Sequence, residues 1–187
     1  VIVTGSIDLT GTKLPELPRF GMRMELHQPY ENLTYYGRGP FENYIDRYSG
    51  AFIGRYEDKV ENQFYWYIRP QETGNKTDVR WLTLLDSGGL GVKITGLQPI
   101  SFSALHFSPE DLDPGLTRKL QHTIDIVPQK NIFLHVDLKQ RGLGGDNSWG
   151  MYPHNEYRLL DKKYTYSYMI ELVEKGSDKN DYLNSRK

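Results

Sequence analysis

Between Tyr164 and Leu172 the chain alternates in a way that fixes its local geometry. Tyr164, Tyr166, Tyr168, Ile170 and Leu172 fall on one side of a period of two, and Thr165, Ser167 and Glu171 fall on the other. Successive side chains of a strand point to opposite faces, so such a run buries one face and wets the other. The pattern recurs with Met22, Met24 and Leu26 against Arg23, Glu25 and His27, and with Ile132, Leu134, Val136 and Leu138 against His135, Asp137 and Lys139. Further strands are expected at 33–37, 51–56, 64–69, 79–86, 91–96, 100–107, 121–127 and 156–160. Short strands bounded by Gly, Pro, Asn and Asp, in a chain with 14 Tyr and 7 Phe, predict an all-β fold, a large sandwich of antiparallel sheets. One helical turn carries its own start signal: Ser108 can cap, Pro109 suits the first helical position, and Asp111 stands three residues past the cap. Pro114 and Gly115 then end it.

A chain of 187 residues makes one large domain or two very small ones. Lys and Arg number 23 and Asp and Glu 24, so no global field draws the chain to nucleic acid or to an anionic membrane. No apolar run approaches the roughly 18 residues that a spanning helix needs. Cysteine is absent, which removes disulfides, thiolate catalysis and Cys-based zinc sites. Val1, Ile2 and Val3 open the chain already in strand residues, which reads as a piece of something longer. The stretch 174–187 is polar and poor in apolar residues, and is expected to be disordered.

Most of the candidate chemistry has a plain structural reading. Glu42 and Asp46 are close in sequence, but Arg38 and Arg47 flank them, so loop-fixing ion pairs are expected rather than an acid–base pair. The five histidines, 27, 106, 122, 135 and 154, show no metal-ligand spacing. Gly88-Gly89-Leu90-Gly91 has no helix after it to make a phosphate loop, and is expected to turn between two strands. The segment from Arg69 to Trp81 is dense in opposite charges and is expected to form a loop braced by internal salt bridges. The run Gly142-Leu143-Gly144-Gly145-Asp146-Asn147-Ser148-Trp149-Gly150 differs. It brings three hydrogen-bonding side chains and an indole to one flexible tip. A tryptophan there is either packed down or presented to a flat apolar ligand such as a sugar ring, with Asp146, Asn147 and Ser148 to take hydroxyls.

Four segments taken together carry a resemblance. Leu17-Pro18-Arg19-Phe20-Gly21-Met22, Tyr36-Gly37-Arg38-Gly39-Pro40-Phe41-Glu42-Asn43-Tyr44 with Asp46-Arg47, Pro70-Gln71-Glu72-Thr73-Gly74-Asn75 with Asp78-Val79-Arg80-Trp81, and Gly144-Gly145-Asp146-Asn147-Ser148-Trp149-Gly150 follow one another in order. Over residues 1–173 the chain resembles the C-terminal domain of long, multi-domain bacterial β-galactosidases of glycoside hydrolase family 2. That resemblance implies the large antiparallel supersandwich shared with galactose mutarotases, with its first strands missing here. It implies a parent enzyme that hydrolyses terminal β-galactosides with retention. The catalytic glutamates and the magnesium ligands of that family sit on a TIM-barrel domain, so no catalytic or metal-binding residue maps onto this chain and the isolated chain is expected to be inactive. The role that does carry over is that of Trp149, a loop tryptophan on the aglycone side of the pocket. The implied partners are a β-galactoside or its aglycone and the barrel domain, and self-association through uncovered faces is expected. A free-standing carbohydrate-binding sandwich is the alternative, and an aldose epimerase a more distant one.

Overall fold

The computed structural model describes residues 1–113, 115 and 122–174. Eight strands follow in order: β1 (Ile2–Asp8), β2 (Arg19–Leu26), β3 (Asn32–Gly39), β4 (Phe52–Lys59), β5 (Lys76–Leu85), β6 (Gly91–Leu105), β7 (Ile132–Gln140) and β8 (Lys163–Val173). Every pairing between them is antiparallel. Pro114, and the tail from 175 onward that was expected to be disordered, lie outside the described residues.

The architecture turns on β6. Its first half, from Gly91 to Gly96, lies between β5 and β8, and its second half, from Ser101 to Leu105, pairs with β7. The neighbour changes at residues 96–99. Pro99 has no N–H to give to a ladder, and a Cβ added to Gly96 would stand 2.3 Å from the Gln98 carbonyl oxygen. The two strands expected at 91–96 and 100–107 are therefore one bent strand. From its first half the sheet continues through β8 to β1, and from its second half through β7 to β2.

The two arms close face to face, which makes the sandwich. The Tyr166 hydroxyl on β8 donates to the Val136 carbonyl on β7 at 2.9 Å, and the Phe20 ring on β2 meets Tyr166 edge-on at 5.6 Å. Between the arms lie Leu33, Leu82, Ile94, Phe102, Leu134 and Tyr168, all fully buried. Each such side chain contributes about 1.5–3 kcal/mol, so this interior outweighs any surface contact. Met22, Met24 and Leu26 line it from β2, on the face their alternation predicted. Leu172 continues the alternation of β8 but is exposed.

Three expected strands are not strands. Residues 64–69 run irregularly: Phe64 packs into a satellite cluster with Leu105, Phe107, Leu112 and Ile126, and the Tyr65 N–H bonds the Thr73 hydroxyl at 3.0 Å instead of a neighbouring strand. Thr123–Asp125 and Asn155–Tyr157 are single 3-10 turns. The short helix α1 (Pro109–Leu112) forms as expected, with a reciprocal capping box between Ser108 and Asp111. Among the described residues no helix is long and apolar enough to cross a membrane.

Candidate functional site

The segment after β3, residues 40–47, ties together the two polar loops that the sequence singled out. Asn43 is fully buried and acts as a backbone substitute. Its side-chain amide donates to the Arg38 and Phe41 carbonyls, at 3.1 and 3.0 Å, and its oxygen accepts from the Thr77 N–H at 3.0 Å. Glu42 reaches the other way. Its Oε2 accepts from the Gly74 N–H at 2.7 Å and the Thr73 hydroxyl at 3.0 Å, and its Oε1 accepts from Arg47 at 2.6 Å and from the Tyr67 hydroxyl. With four donors on its two oxygens, this carboxylate is engaged in fixing the segment and has no free lone pair for a substrate.

Asp46 sits in a tight turn closed at both ends by backbone bonds between Tyr44 and Arg47, at 3.2 and 2.8 Å. Its Oδ2 accepts from the Gly144 N–H at 2.8 Å, and its Oδ1 is buried with no partner among the described residues. The expected ion pairing is thus half right. Arg47 does hold Glu42, but Arg38 turns to Asp78 at 2.5 Å and to the Ala51 carbonyl at 2.9 Å, because the strands beside β3 bring those groups against it. The segment 69–81 is corrected in the same way. Its carboxylates pair outward, Glu72 with Arg19 of β2 at 3.3 Å and Asp78 with Arg38 of β3, and residues from Lys76 on already belong to β5. Asp78 adopts φ +52°, a left-handed conformation costly for a residue with a side chain, and its two arginine contacts hold it there: Arg38 on the carboxylate and Arg80 on the carbonyl.

The Trp149 loop rises from this support. Its stem is clamped by Glu16, whose carboxylate pairs with Arg158 at 2.7 Å and Arg141 at 3.1 Å. The Arg158 guanidinium, foremost, holds that carboxyl below its ordinary range. Both arginines also stack on Tyr152, at 4.7 and 5.6 Å from its ring centre. Gly142 donates to the Tyr157 carbonyl at 2.8 Å and lies so close to Asp46 that an added Cβ would meet its Cγ at 2.7 Å. At the tip, Asp146 pairs with His154 at 2.8 Å, and the Asn147 side-chain oxygen accepts from the Trp149 N–H at 2.8 Å. Asp146, Asn147 and Ser148 are all exposed. The indole of Trp149 is uncovered, with the residue 91% exposed, so in this chain it is not packed down. Beside the loop foot a cleft of about 560 Å³ opens between Phe41, Tyr48, Tyr65 and Tyr67, with Asp46 and Arg47 in its wall.

A second cluster of ionisable groups lies along β2 and β7. Arg19 bonds Asp137 through Nε at 3.0 Å and Nη2 at 2.9 Å, and Gln140 at 2.9 Å. Burial pushes the Asp137 carboxyl up to about 6 against the pull of Arg19, and also raises Glu72. Burial, aided by Arg19 and Arg23, pushes His135 down to about 4, so its ring is neutral at neutral pH. The described residues include no group of three or more His, Asp or Glu side chains that could hold a metal ion, and no metal chemistry is assigned to them. Of the anchoring of Glu42 only the pairing with Arg47 was legible beforehand, and the contact of Asp46 was not. The Asp46–Gly144 bond joins residues 98 positions apart, which no local spacing signals.

Comparison with known proteins agrees with this organisation. The family model of the β-galactosidase small chain matches residues 2–170. A β-galactosidase of Priestia megaterium is 38% identical over 159 residues, which is 84% of this chain and 15% of that protein. A β-galactosidase of Streptococcus thermophilus is 37% identical over 160 residues, with the same shares, and one of Halalkalibacterium halodurans is 36% identical over 150 residues, 80% of this chain and 14% of the relative. The chain thus spans about one seventh of the length of these relatives. The match takes in β1 to β7, the segment 40–47 and the whole Trp149 loop, and on it the chain belongs to the β-galactosidase small-chain family.

Proposed function

We propose that this chain is a non-catalytic part of the active site of a retaining β-galactosidase, with Trp149 as the sugar-facing platform on the aglycone side. The observation that carries the reading is the indole itself, 91% exposed at the tip of a loop whose stem and foot are fixed by ion pairs and hydrogen bonds. An exposed tryptophan on a flexible loop would cover itself; one on a braced loop is offered to something else. Asp146, Asn147 and Ser148 stand next to it to take hydroxyls. The proton transfers and the covalent glycosyl intermediate belong to two glutamates of a barrel domain elsewhere in the enzyme, together with its magnesium. The 187 residues alone therefore turn over no galactoside.

Stacking of one indole on a sugar is worth on the order of 1–2 kcal/mol. At about 1.36 kcal/mol per tenfold, Trp149→Ala in the full-length enzyme should raise KM for lactose roughly 5- to 30-fold. The ring touches no atom that changes charge, so kcat should fall less. Trp149→Phe should recover part of the loss. An unchanged KM in a correctly folded Trp149→Ala enzyme would remove the residue from the site.

A further inference from the structure

We propose that Asp46 is the positioning residue of the Trp149 loop, the group that sets where the indole stands; this rests on the reading of Trp149 as the platform. Three observations converge on it. First, Asp46 is the group on the 40–47 segment bonded to the loop, through Oδ2 and the Gly144 N–H at 2.8 Å. Second, the loop is shaped to accept it. Gly142 and Gly144 both face the carboxylate, and a Cβ on Gly142 would meet Asp46 Cγ at 2.7 Å and Oδ2 at 2.8 Å. Third, Asp46 cannot yield. It sits in a turn bonded at both ends, Glu42 anchors the same segment to Thr73 and Gly74, and Asn43 anchors it to Thr77.

The contact lies five residues before Trp149, at the point where the loop leaves the body of the domain. Beyond it the chain closes on itself: a Cβ on Gly145 would stand 2.3 Å from the Met151 carbonyl oxygen. Residues 145–151 thus form a closed excursion hinged at its foot, and a small rotation at Gly144 swings the indole through a larger arc. Asp46 also keeps Oδ1 buried and without a partner among the described residues, a costly arrangement for a contact that served packing alone. A bound sugar needs the ring in one place, and any looseness must be ordered at the expense of affinity.

The test uses the full-length β-galactosidase that carries this chain, with Asp46→Ala, Asp46→Asn, Trp149→Ala and the double variant Asp46→Ala/Trp149→Ala. Hydrogen exchange over peptides spanning 142–153 reads the loop directly, and lactose kinetics read its consequence. Asp46→Ala should speed exchange in that segment while β3 and β7 stay protected. It should raise KM about 3- to 10-fold, one hydrogen bond's worth, with kcat within about twofold. Asp46→Asn keeps an acceptor oxygen and should lie closer to wild type on both readouts. In the Trp149→Ala background Asp46→Ala should have no further effect on KM. Unchanged exchange in Asp46→Ala overturns the positioning role, whatever Trp149 does. An equal KM increase in both backgrounds overturns the route through the indole. Faster exchange with an unchanged KM supports the positioning contact and refutes the platform reading instead. If Asp46→Ala does not fold, Gly142→Ala drives a wedge into the same contact from the loop side and must give the same exchange and KM pattern, or the proposal fails.

Discussion

Replacing Arg19 with methionine removes the counter-charge of a carboxylate that water barely reaches. The Asp137 side chain is 1% exposed, and the guanidinium approaches it through two nitrogens at 3.0 and 2.9 Å. Losing one member of such a pair costs about 3–5 kcal/mol, most of it the burden of the charge left behind. The second carboxylate, Glu72 at 3.3 Å, is 31% exposed and adds little, about 0.5 kcal/mol. Methionine keeps the stem's packing, so the expected cost is about 3–4 kcal/mol where Asp137 is ionised. That condition gives the prediction its pH dependence. Asp137 titrates near 3.8 when unfolded and at about 6 in the fold, so folding favours its protonated form. The stability linked to this group is fully present below 3.8 and is lost as the pH rises through about 6. Without Arg19 the folded value climbs further, and protonation relieves the variant of about 1.36 kcal/mol for each unit of that climb. The variant should therefore lose about 3–4 kcal/mol at pH 8 but only about 1–2 kcal/mol at pH 5. Urea denaturation at both pH values measures this, and Arg19→Met/Asp137→Asn should recover most of the loss at pH 8. A cost below about 1 kcal/mol at pH 8, or one equal at both pH values, would refute the reasoning.

Three further outcomes are expected. Asp146 raises the pKa of His154 above 6.5, so the pair's support of the loop tip is complete below that value and disappears as the pH rises through the folded one. Exchange of the Trp149 amide, corrected for its intrinsic rate, should accelerate over that window in wild type and lose this dependence in His154→Gln; a flat wild-type profile would contradict it. Burial pushes Lys76 down from 10.5 to about 8, so the stability linked to this group falls as the pH falls from 10.5 to 8. Lys76→Met should gain on wild type over that fall and, after the loss of its bonds to Gln63 and Gly74, be more stable at pH 7 by about 1–2 kcal/mol; a lower Tm than wild type at pH 7 counts against this. Finally, β4 is a sheet edge with Phe52 and Ile53 exposed, so the chain should self-associate at high concentration and Phe52→Lys should reduce it, as judged by sedimentation.

The sequence was informative where a local rule had no competitor. Ser108, Pro109 and Asp111 make their capping box from groups within four residues, and the turn from Asp86 to Leu90 closes on its own side chain: Asp86 Oδ1 accepts from the Gly88 and Leu90 N–H groups, at 2.8 and 2.9 Å. It misled where a tertiary partner decides. Residues 64–69 have strong strand propensity, yet no strand lies beside them, and Phe64 is worth more in the satellite cluster. Arg38 stands near Glu42 and Asp46 in sequence, but the pairing of β3 with β5 brings it to Asp78. For the site, composition left the state of Trp149 open, and only the three-dimensional path of the loop shows the ring uncovered. In the sequence Asp46 reads as the ion-pair partner of a flanking arginine, because the backbone donor that it serves arrives from beyond the end of β7.

The pairing of β1 with β8 and of β2 with β7 nests one long closure inside another. β1 ends at Asp8, and its partner begins at Lys163. On a ribosome adding about 5–20 residues per second, the first strand waits roughly 10–30 s for the strand that covers it. Phe20 and Met22 wait as long for Tyr166 and Tyr168, which complete the apolar interior. No early half-sandwich can form, because each arm needs a strand from the opposite end of the domain, and loop closure must precede the gain from contact. A nascent chain halted before Tyr164 therefore exposes both a bare edge at β1 and a greasy inner face, and β8 is the strand that covers both.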